Sequence, residues 1–247
     1  MGLNKVEPGS NMYDWITHTH NHLAGACPHA CNYCSTKDLA RRFSVMRERY
    51  SGPVRLIEKE LAVNYGSGKT IFLENCGDLF AEGIPGFWII DILEHVNKYP
   101  TNTYVFQTKN PFRLWMYFYL FPPNFLIGTT AESNFAEPSR SQAPPAHERL
   151  RAMKLLSSHL HCPTERKFVT IEPVLWFSVQ DFLPMLLDAN VGAYHIGADS
   201  KKHGLPEPTG MEIAALVEGL REAGKKVVLK SNLKRLYWEG GQCQTTQ

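Results

Sequence analysis

No stretch of this 247-residue chain is apolar for long enough to cross a membrane. A spanning helix needs about 20 consecutive, mostly apolar residues, and the most apolar run, Leu114 to Phe121, stops at Pro122-Pro123. The opening MGLNKVEPGS has no apolar signal core, so the expected location is cytoplasmic. It also lacks the hydroxyl residue a myristoylation signal needs at position 6, where Val6 stands. Charge of one sign is scarce. Lys plus Arg number 26 and Asp plus Glu 24, a net charge of +2, which by itself does not indicate a nucleic-acid partner. A phosphate loop is missing too: Tyr65-Gly-Ser-Gly-Lys-Thr70 has Val63 where the motif requires glycine, and it precedes a strand instead of following one. There is no internal repeat and no low-complexity tract.

What is present is an ordinary globular composition, 43% hydrophobic and 20% charged, able to bury a sizeable core. One domain over residues 1–247 is expected, with 1–14 as an N-terminal arm and 237–247 as a tail. Six cysteines occur: Cys27, Cys31, Cys34, Cys76, Cys162 and Cys243. Without a signal segment they are expected as thiols rather than three disulfides. Three fall in Cys27-Pro-His-Ala-Cys31-Asn-Tyr-Cys34, a C-x3-C-x2-C run. Thiolates are soft ligands suited to iron–sulfur clusters and to zinc. Three on one loop can hold three corners of a [4Fe-4S] cubane and leave one iron open to a small chelating molecule. Zinc would want a closed fourth ligand, for which His29 inside the loop is the candidate.

The C-x3-C-x2-C run with the aromatic Tyr33 before its last cysteine resembles the radical S-adenosylmethionine (SAM) superfamily. The wider stretch Thr17-His-Thr-His-Asn-His-Leu-Ala-Gly-Ala-Cys-Pro-His-Ala-Cys-Asn-Tyr-Cys34 is similar to one branch, the phage-associated proteins related to the spore photoproduct lyase group. Phe72–Phe80, Phe106–Asn110, Ile127–Glu132, Thr170–Pro173 and His195–Ser200 fit that branch in order. The resemblance implies that SAM chelates the open iron and that a reduced cluster cleaves it. The resulting 5′-deoxyadenosyl radical takes a hydrogen atom from substrate. It also implies an electron donor of flavodoxin or ferredoxin type, and the host cytoplasm if the chain is phage-encoded.

Short β-rich runs alternate with amphipathic helical runs, which predicts a parallel α/β sheet. Strands are expected near Trp15–Thr19, Thr70–Glu74, Thr103–Thr108, Phe125–Thr130, Lys167–Ile171, Gly192–Ile196 and Lys226–Leu229. Helices are expected near Thr36–Tyr50, Pro85–Lys98, Pro111–Phe121, Pro145–His161, Val179–Asp188 and Thr209–Ala223. These units fit a partial TIM-like (β/α)6 barrel, with Lys226–Leu229 as a seventh strand; the resemblance implies the same fold. Residues Asn134–Pro144 form the expected mobile loop.

Chemistry in such a barrel gathers at the C-terminal ends of strands, where each unit turns polar. Many superfamily members carry Gly-Gly-Glu, to bind the methionine amino group, where this chain has Glu74-Asn75-Cys76-Gly77. A backbone carbonyl, Asn75 or Asp78 is the expected substitute. Thr129, Thr130 and Glu132 suit the ribose hydroxyls. Glu172 is a buried carboxylate for cofactor or substrate, or a structural cap. Tyr33 would pack on adenine or shield the cluster, and Lys109 and Lys230 would meet anionic groups. His18, His20 and His22 read as polar lining of the barrel floor, ahead of a second metal site. Cys76 is the candidate catalytic thiol, because an S–H bond is weak enough to return a hydrogen atom to a product radical. Basic residues at Arg41, Arg42, Arg47, Arg49 and Arg55 read as a solvated face, and those at Lys225, Lys226, Lys230, Lys234 and Arg235 as a site for a phosphate backbone.

The expected function is therefore radical SAM chemistry of isomerase or lyase type on a modified nucleobase or DNA thymidine adduct, as in phage DNA hypermodification. Two alternatives stand beside it: a radical SAM enzyme on a small metabolite or peptide, and a non-catalytic, zinc-stabilised nucleic-acid-binding module.

Overall fold

The structure is a computed structural model that describes residues 2–136 and 139–238. The tail beyond Trp238, Cys243 included, lies outside the described residues. The chain divides into two compact units, residues 1–128 with 138–144, and residues 129–137 with 145–247.

The first unit contains β1 (Asn4–Lys5), β2 (His18–His20), β3 (Leu23–Ala24), α1 (Ser35–Arg42), α2 (Ser44–Arg49), β4 (Arg55–Leu56), β5 (Thr70–Leu73), α3 (Gly86–Asn97), β6 (Thr103–Gln107), α4 (Pro111–Trp115) and most of β7 (Phe125–Thr130). Its sheet runs β1-β2-β5-β6-β7, parallel except for β1. Strands β3 and β4 form a separate antiparallel ribbon. The inner strands are rich in β-branched and aromatic residues and are buried on both faces, as parallel strands covered by helices must be.

The second unit contains α5 (Ala146–Leu160), β8 (Lys167–Ile171), α6 (Val179–Asp188), β9 (Ala193–Ile196), α7 (Gly210–Glu222) and β10 (Lys226–Leu229). Strands β8, β9 and β10 pair in parallel in that order. Helix α7 is the most legible element. Ile213, Leu216, Val217 and Leu220 are fully buried, and Thr209 with Glu212 closes a capping box at its start.

The mixed α/β class with a mostly parallel sheet agrees with the alternation in the sequence, and all seven expected strands are present. Two expected helices are interrupted. Thr36–Tyr50 breaks at Phe43, which is extended (φ −122°, ψ 125°) and both ends α1 and begins α2. Pro111–Phe121 stops at Trp115 and resumes as a 3₁₀ turn, Phe118–Leu120. The second piece ends where the Pro122-Pro123 pair begins, since a residue before proline is driven out of the helical region, and Phe121 is extended (φ −66°, ψ 143°). No helix among the described residues is long and apolar enough to cross a membrane.

Candidate active site

The cysteine loop leaves the β3–β4 ribbon and ends at α1. Gly25 makes its entry possible. It has φ +91°, and a Cβ there would stand 2.2 Å from the Pro53 carbonyl oxygen, so no side chain fits. Gly25 N–H donates to Arg49 O (2.8 Å) and Ala26 N–H to Gly52 O (2.9 Å), which seats the loop on the turn after α2. The chain then curls back, with Ala30 at φ +52° and its N–H bonded to Cys27 O. Cys34 is the N-cap of α1.

Four thiols, Cys27, Cys31, Cys34 and Cys76, line one cavity of about 490 Å³. Lys37, Arg41 and Arg47 from α1 and α2 line the same cavity, so its walls are cationic. Burial pushes the Cys27 thiol up to about 12, and Asp78 pushes it in the same direction. Among the described residues, no three His, Cys, Asp or Glu side chains are grouped as ligands of a single ion. The three loop thiols share this cavity.

The loop is fastened from two sides. His29 Nε2 and Asp78 Oδ2 lie 2.8 Å apart, both side chains buried. Asp78 also accepts from Lys109 N–H (2.7 Å) and Phe80 N–H (2.9 Å). Burial alone would raise the Asp78 carboxyl, but the bonds from His29, Lys109 and Thr108 hold it below the usual carboxylate range. On the other side, Asn32 N–H donates to Arg140 O, Gln142 N–H to His29 O, and Cys31 Sγ lies 3.1 Å from Ser141 Oγ. The second half of the segment expected as a mobile loop is thus bonded to the cysteine loop, while Glu137 and Pro138 lie outside the described residues.

The other expected site residues of the first unit gather around the same loop. Tyr33 and Lys109 meet, with Nζ 3.3 Å from the phenol oxygen and 5.2 Å from the ring centre. Asn75 accepts from Asn21 Nδ2 at 2.8 Å, and Asn21 Oδ1 in turn accepts the Cys76 N–H at 3.0 Å. Burial raises the Cys76 thiol, which stands against the Tyr50 and Thr36 hydroxyls. Cys76 is therefore a protonated thiol in the cysteine cavity.

The histidines are placed otherwise than expected. His18 is partly exposed beside the Thr17 hydroxyl, while His20 and His22 are buried against Tyr65 and His95 of α3 and do not line the cysteine cavity. His22 Nδ1 is 2.8 Å from Glu74 Oε1, and His22 Nε2 is 3.0 Å from both His95 Nδ1 and the Tyr65 hydroxyl. Burial drives Glu74 up to about 7 and His22 down to about 3, while the backbone N–H groups of His22 and Leu23 pull the carboxyl the other way.

In the second unit, Thr129 and Thr130 close β7, and Glu132 follows them, all buried. Both Glu132 oxygens face Arg149 of α5, at 3.0 and 3.4 Å, and Arg149 also donates to Thr130 O at 2.6 Å. Glu172 and Lys230, expected as separate contacts, pair with each other at 2.6 Å, and Asn232 Nδ2 donates to the second Glu172 oxygen at 2.7 Å. The sequence reading missed the partners: Arg149, Asn232 and Ser141 carry no local motif. It also missed an exposed stacked pair, Phe135 and Trp176.

No curated protein matches the chain. Among solved structures, a spore photoproduct lyase point mutant is similar over 92% of this chain and 80% of its own, with a TM-score of 0.61 and 8% identity. A spore photoproduct lyase double mutant with bound AdoMet and dinucleoside spore photoproduct is similar over 90% of this chain, with a TM-score of 0.51 and 8% identity. This chain covers 66% of that protein, just under two thirds of its length. At such identity the likeness is one of fold. Nothing in these matches bears on a phage association. The family model described as "Protein of unknown function (DUF5131)" matches residues 10–182, and the chain belongs to that family.

Proposed function

We propose that this protein is a radical SAM enzyme in which Cys27, Cys31 and Cys34 hold a [4Fe-4S] cluster and SAM binds at its open iron. One observation carries the reading: the three thiols of the C-x3-C-x2-C loop line a single cation-walled cavity together with Cys76. The donor set fits the group. Soft thiolates suit iron–sulfur clusters. The fold of spore photoproduct lyase supports the same assignment. When bound, the cluster and SAM supply one-electron cleavage of a carbon–sulfur bond and a 5′-deoxyadenosyl radical that abstracts hydrogen from substrate.

The chain's own residues hold, orient and screen. His29–Asp78 and Ser141 keep the loop curled. Lys37, Arg41 and Arg47 offset the charge of three thiolates. Asp78 accepts from His29 and two backbone N–H groups, so its part is to position the loop; Asn75, whose Oδ1 also accepts from Asn21, is assigned to the methionine amino group. Tyr33, supported by Lys109, covers the cofactor. In the second unit, Thr129, Thr130 and Glu132 bind the ribose, with Arg149 orienting the carboxylate, and the Glu172–Lys230 pair meets the polar end of cofactor or substrate. Cys76 would give its S–H hydrogen atom to the product radical, and one electron from the donor protein with one proton would restore the resulting thiyl radical to the thiol. The substrate is a modified nucleobase, a thymidine adduct of DNA, and the reaction is a rearrangement or a bond cleavage. Neighbours solved with dinucleoside spore photoproduct support a nucleotide substrate. A one-electron donor protein of flavodoxin or ferredoxin type completes the system.

The test is anoxic reconstitution with iron and sulfide, then dithionite and SAM. Equal iron and sulfide together with 5′-deoxyadenosine are expected, and deuterium from labelled thymidine-containing DNA should appear in that product. Protein that binds no iron, or leaves SAM intact, refutes the reading.

A further inference from the structure

Trp176 and Phe135 stack face to face, with ring centres 4.8 Å apart and planes within 9°, and both are largely exposed, at 51% and 43%. Exposed aromatic pairs normally cost solvation unless something covers them. This pair is also held rigid. Phe135 lies on the loop after β7 and Trp176 on the loop after β8, and hydrogen bonds join the two loops. Ser133 Oγ donates to Trp176 O at 2.6 Å, Leu175 N–H to Glu132 O at 2.9 Å, and Ser178 N–H to Asn134 Oδ1 at 3.0 Å. A third loop, after β9, is tied in by Trp176 N–H donating to Pro206 O at 2.8 Å. That loop carries Lys201 and Lys202, both exposed and without an acidic partner among the described residues. Asp199 beside them is taken by His203, and Glu207 by Arg235.

We infer that the Phe135–Trp176 pair is a stacking platform for one unstacked nucleobase of a single-stranded or flipped-out nucleotide, with Lys201 and Lys202 meeting its flanking phosphates. All four residues belong to the second unit and lie on the loops that follow β7, β8 and β9, at the C-terminal ends of strands, where α/β folds present their ligands. Every base has a π-face, so a rigid aromatic surface with nearby cations binds bases with little sequence preference. A buried core role would not leave the rings half open, and a purely electrostatic role would not need them parallel. The inference rests on and deepens the nucleobase part of the proposed function, and it names residues that grip the substrate.

The experiment is fluorescence titration of the full-length protein with a short oligothymidylate. Saturable tryptophan quenching is expected, and affinity is read in parallel from the fluorescence anisotropy of a dye-labelled oligothymidylate, so that it can be followed when Trp176 is gone. In Trp176→Phe the quenching should vanish while most affinity survives, because phenylalanine still stacks. Trp176→Ala should weaken binding about tenfold. Changing Lys201 and Lys202 to Ala should flatten the salt dependence by about 0.7 per lysine in the log–log slope. Unchanged affinity in Trp176→Ala overturns the inference, as does equal affinity for an oligomer of abasic deoxyribose phosphate. The readout needs neither iron nor SAM. Binding that depends on Trp176 in a protein that takes up no cluster would leave the platform standing and the radical reading fallen. The opposite pair of results would do the reverse.

Discussion

His29 and Asp78 form a buried imidazole–carboxylate bond of 2.8 Å that ties the middle of the cysteine loop to the segment after β5. The residues are 49 positions apart, and neither is a thiol. The bond makes the curl of the C-x3-C-x2-C run a tertiary feature.

Replacing Asp78 with Ala removes the acceptor for His29 and for the backbone N–H groups of Lys109 and Phe80. Breaking one side of a buried pair costs about 3 kcal/mol. Urea denaturation should show that loss, and reconstituted protein should retain less iron than the native chain. Asp78→Asn, which keeps an acceptor oxygen, should fall between the two.

Single Ala replacements of Cys27, Cys31 and Cys34 should each abolish cluster uptake, read by iron and sulfide analysis. Cys76→Ala should take up the same iron as the native protein although its thiol lines the same cavity. The same variant should still form 5′-deoxyadenosine, with turnover failing afterwards. Loss of iron in Cys76→Ala would make it a ligand and contradict its assigned role.

The buried histidines make stability depend on pH. Burial lowers His20 and His95 to about 4 and His22 to about 3, so in the folded protein all three stay neutral far below the ordinary 6.5. The unfolded chain takes up those protons as pH falls through 6.5, which costs stability on acidification. Glu74, raised to about 7, works the other way, since the folded form binds its proton first. Three imidazoles outweigh one carboxyl, so urea midpoints should drop between about pH 6.5 and pH 4.5. In Glu74→Gln the opposing contribution is gone and the drop should be steeper.

Gly197 lies under the Glu172 carboxylate. A Cβ there would stand 2.7 Å from Glu172 Oε1 and 2.9 Å from Asn232 Oδ1. Gly197→Ala should push the carboxylate off Lys230 and Asn232 and cost about 2 kcal/mol, typical of overpacking. Thermal or urea unfolding checks the loss. Glu172→Gln, which keeps the shape, should cost less.

Much of the fold was legible because local chemistry suffices for it. Thr209 with Glu212, then apolar residues at helical spacing, specify α7 without help from elsewhere. Runs such as Phe125–Thr130 and Lys167–Ile171 match the strands residue for residue, because only a doubly covered strand makes use of so many apolar and β-branched side chains together. The break at Phe43 and the β3–β4 ribbon were not legible. The break at Phe43 is marked by no proline or turn pair, and the ribbon's two-residue strands, although Ser51-Gly52-Pro53 precedes the second, are too short to show a pattern and depend on what lies opposite them.

By itself the sequence determined the alternating α/β order and the three thiols on one short loop, since a spacing of three and two residues limits how far apart the sulfurs can stand. Only the tertiary structure decided which groups answer which. It gave Glu132 to Arg149 and Glu172 to Lys230, brought Cys76 to the other thiols, and laid Phe135 on Trp176. A buried charge or an exposed ring must find its partner in space, and residues far apart in the chain meet only once the strands have set their register.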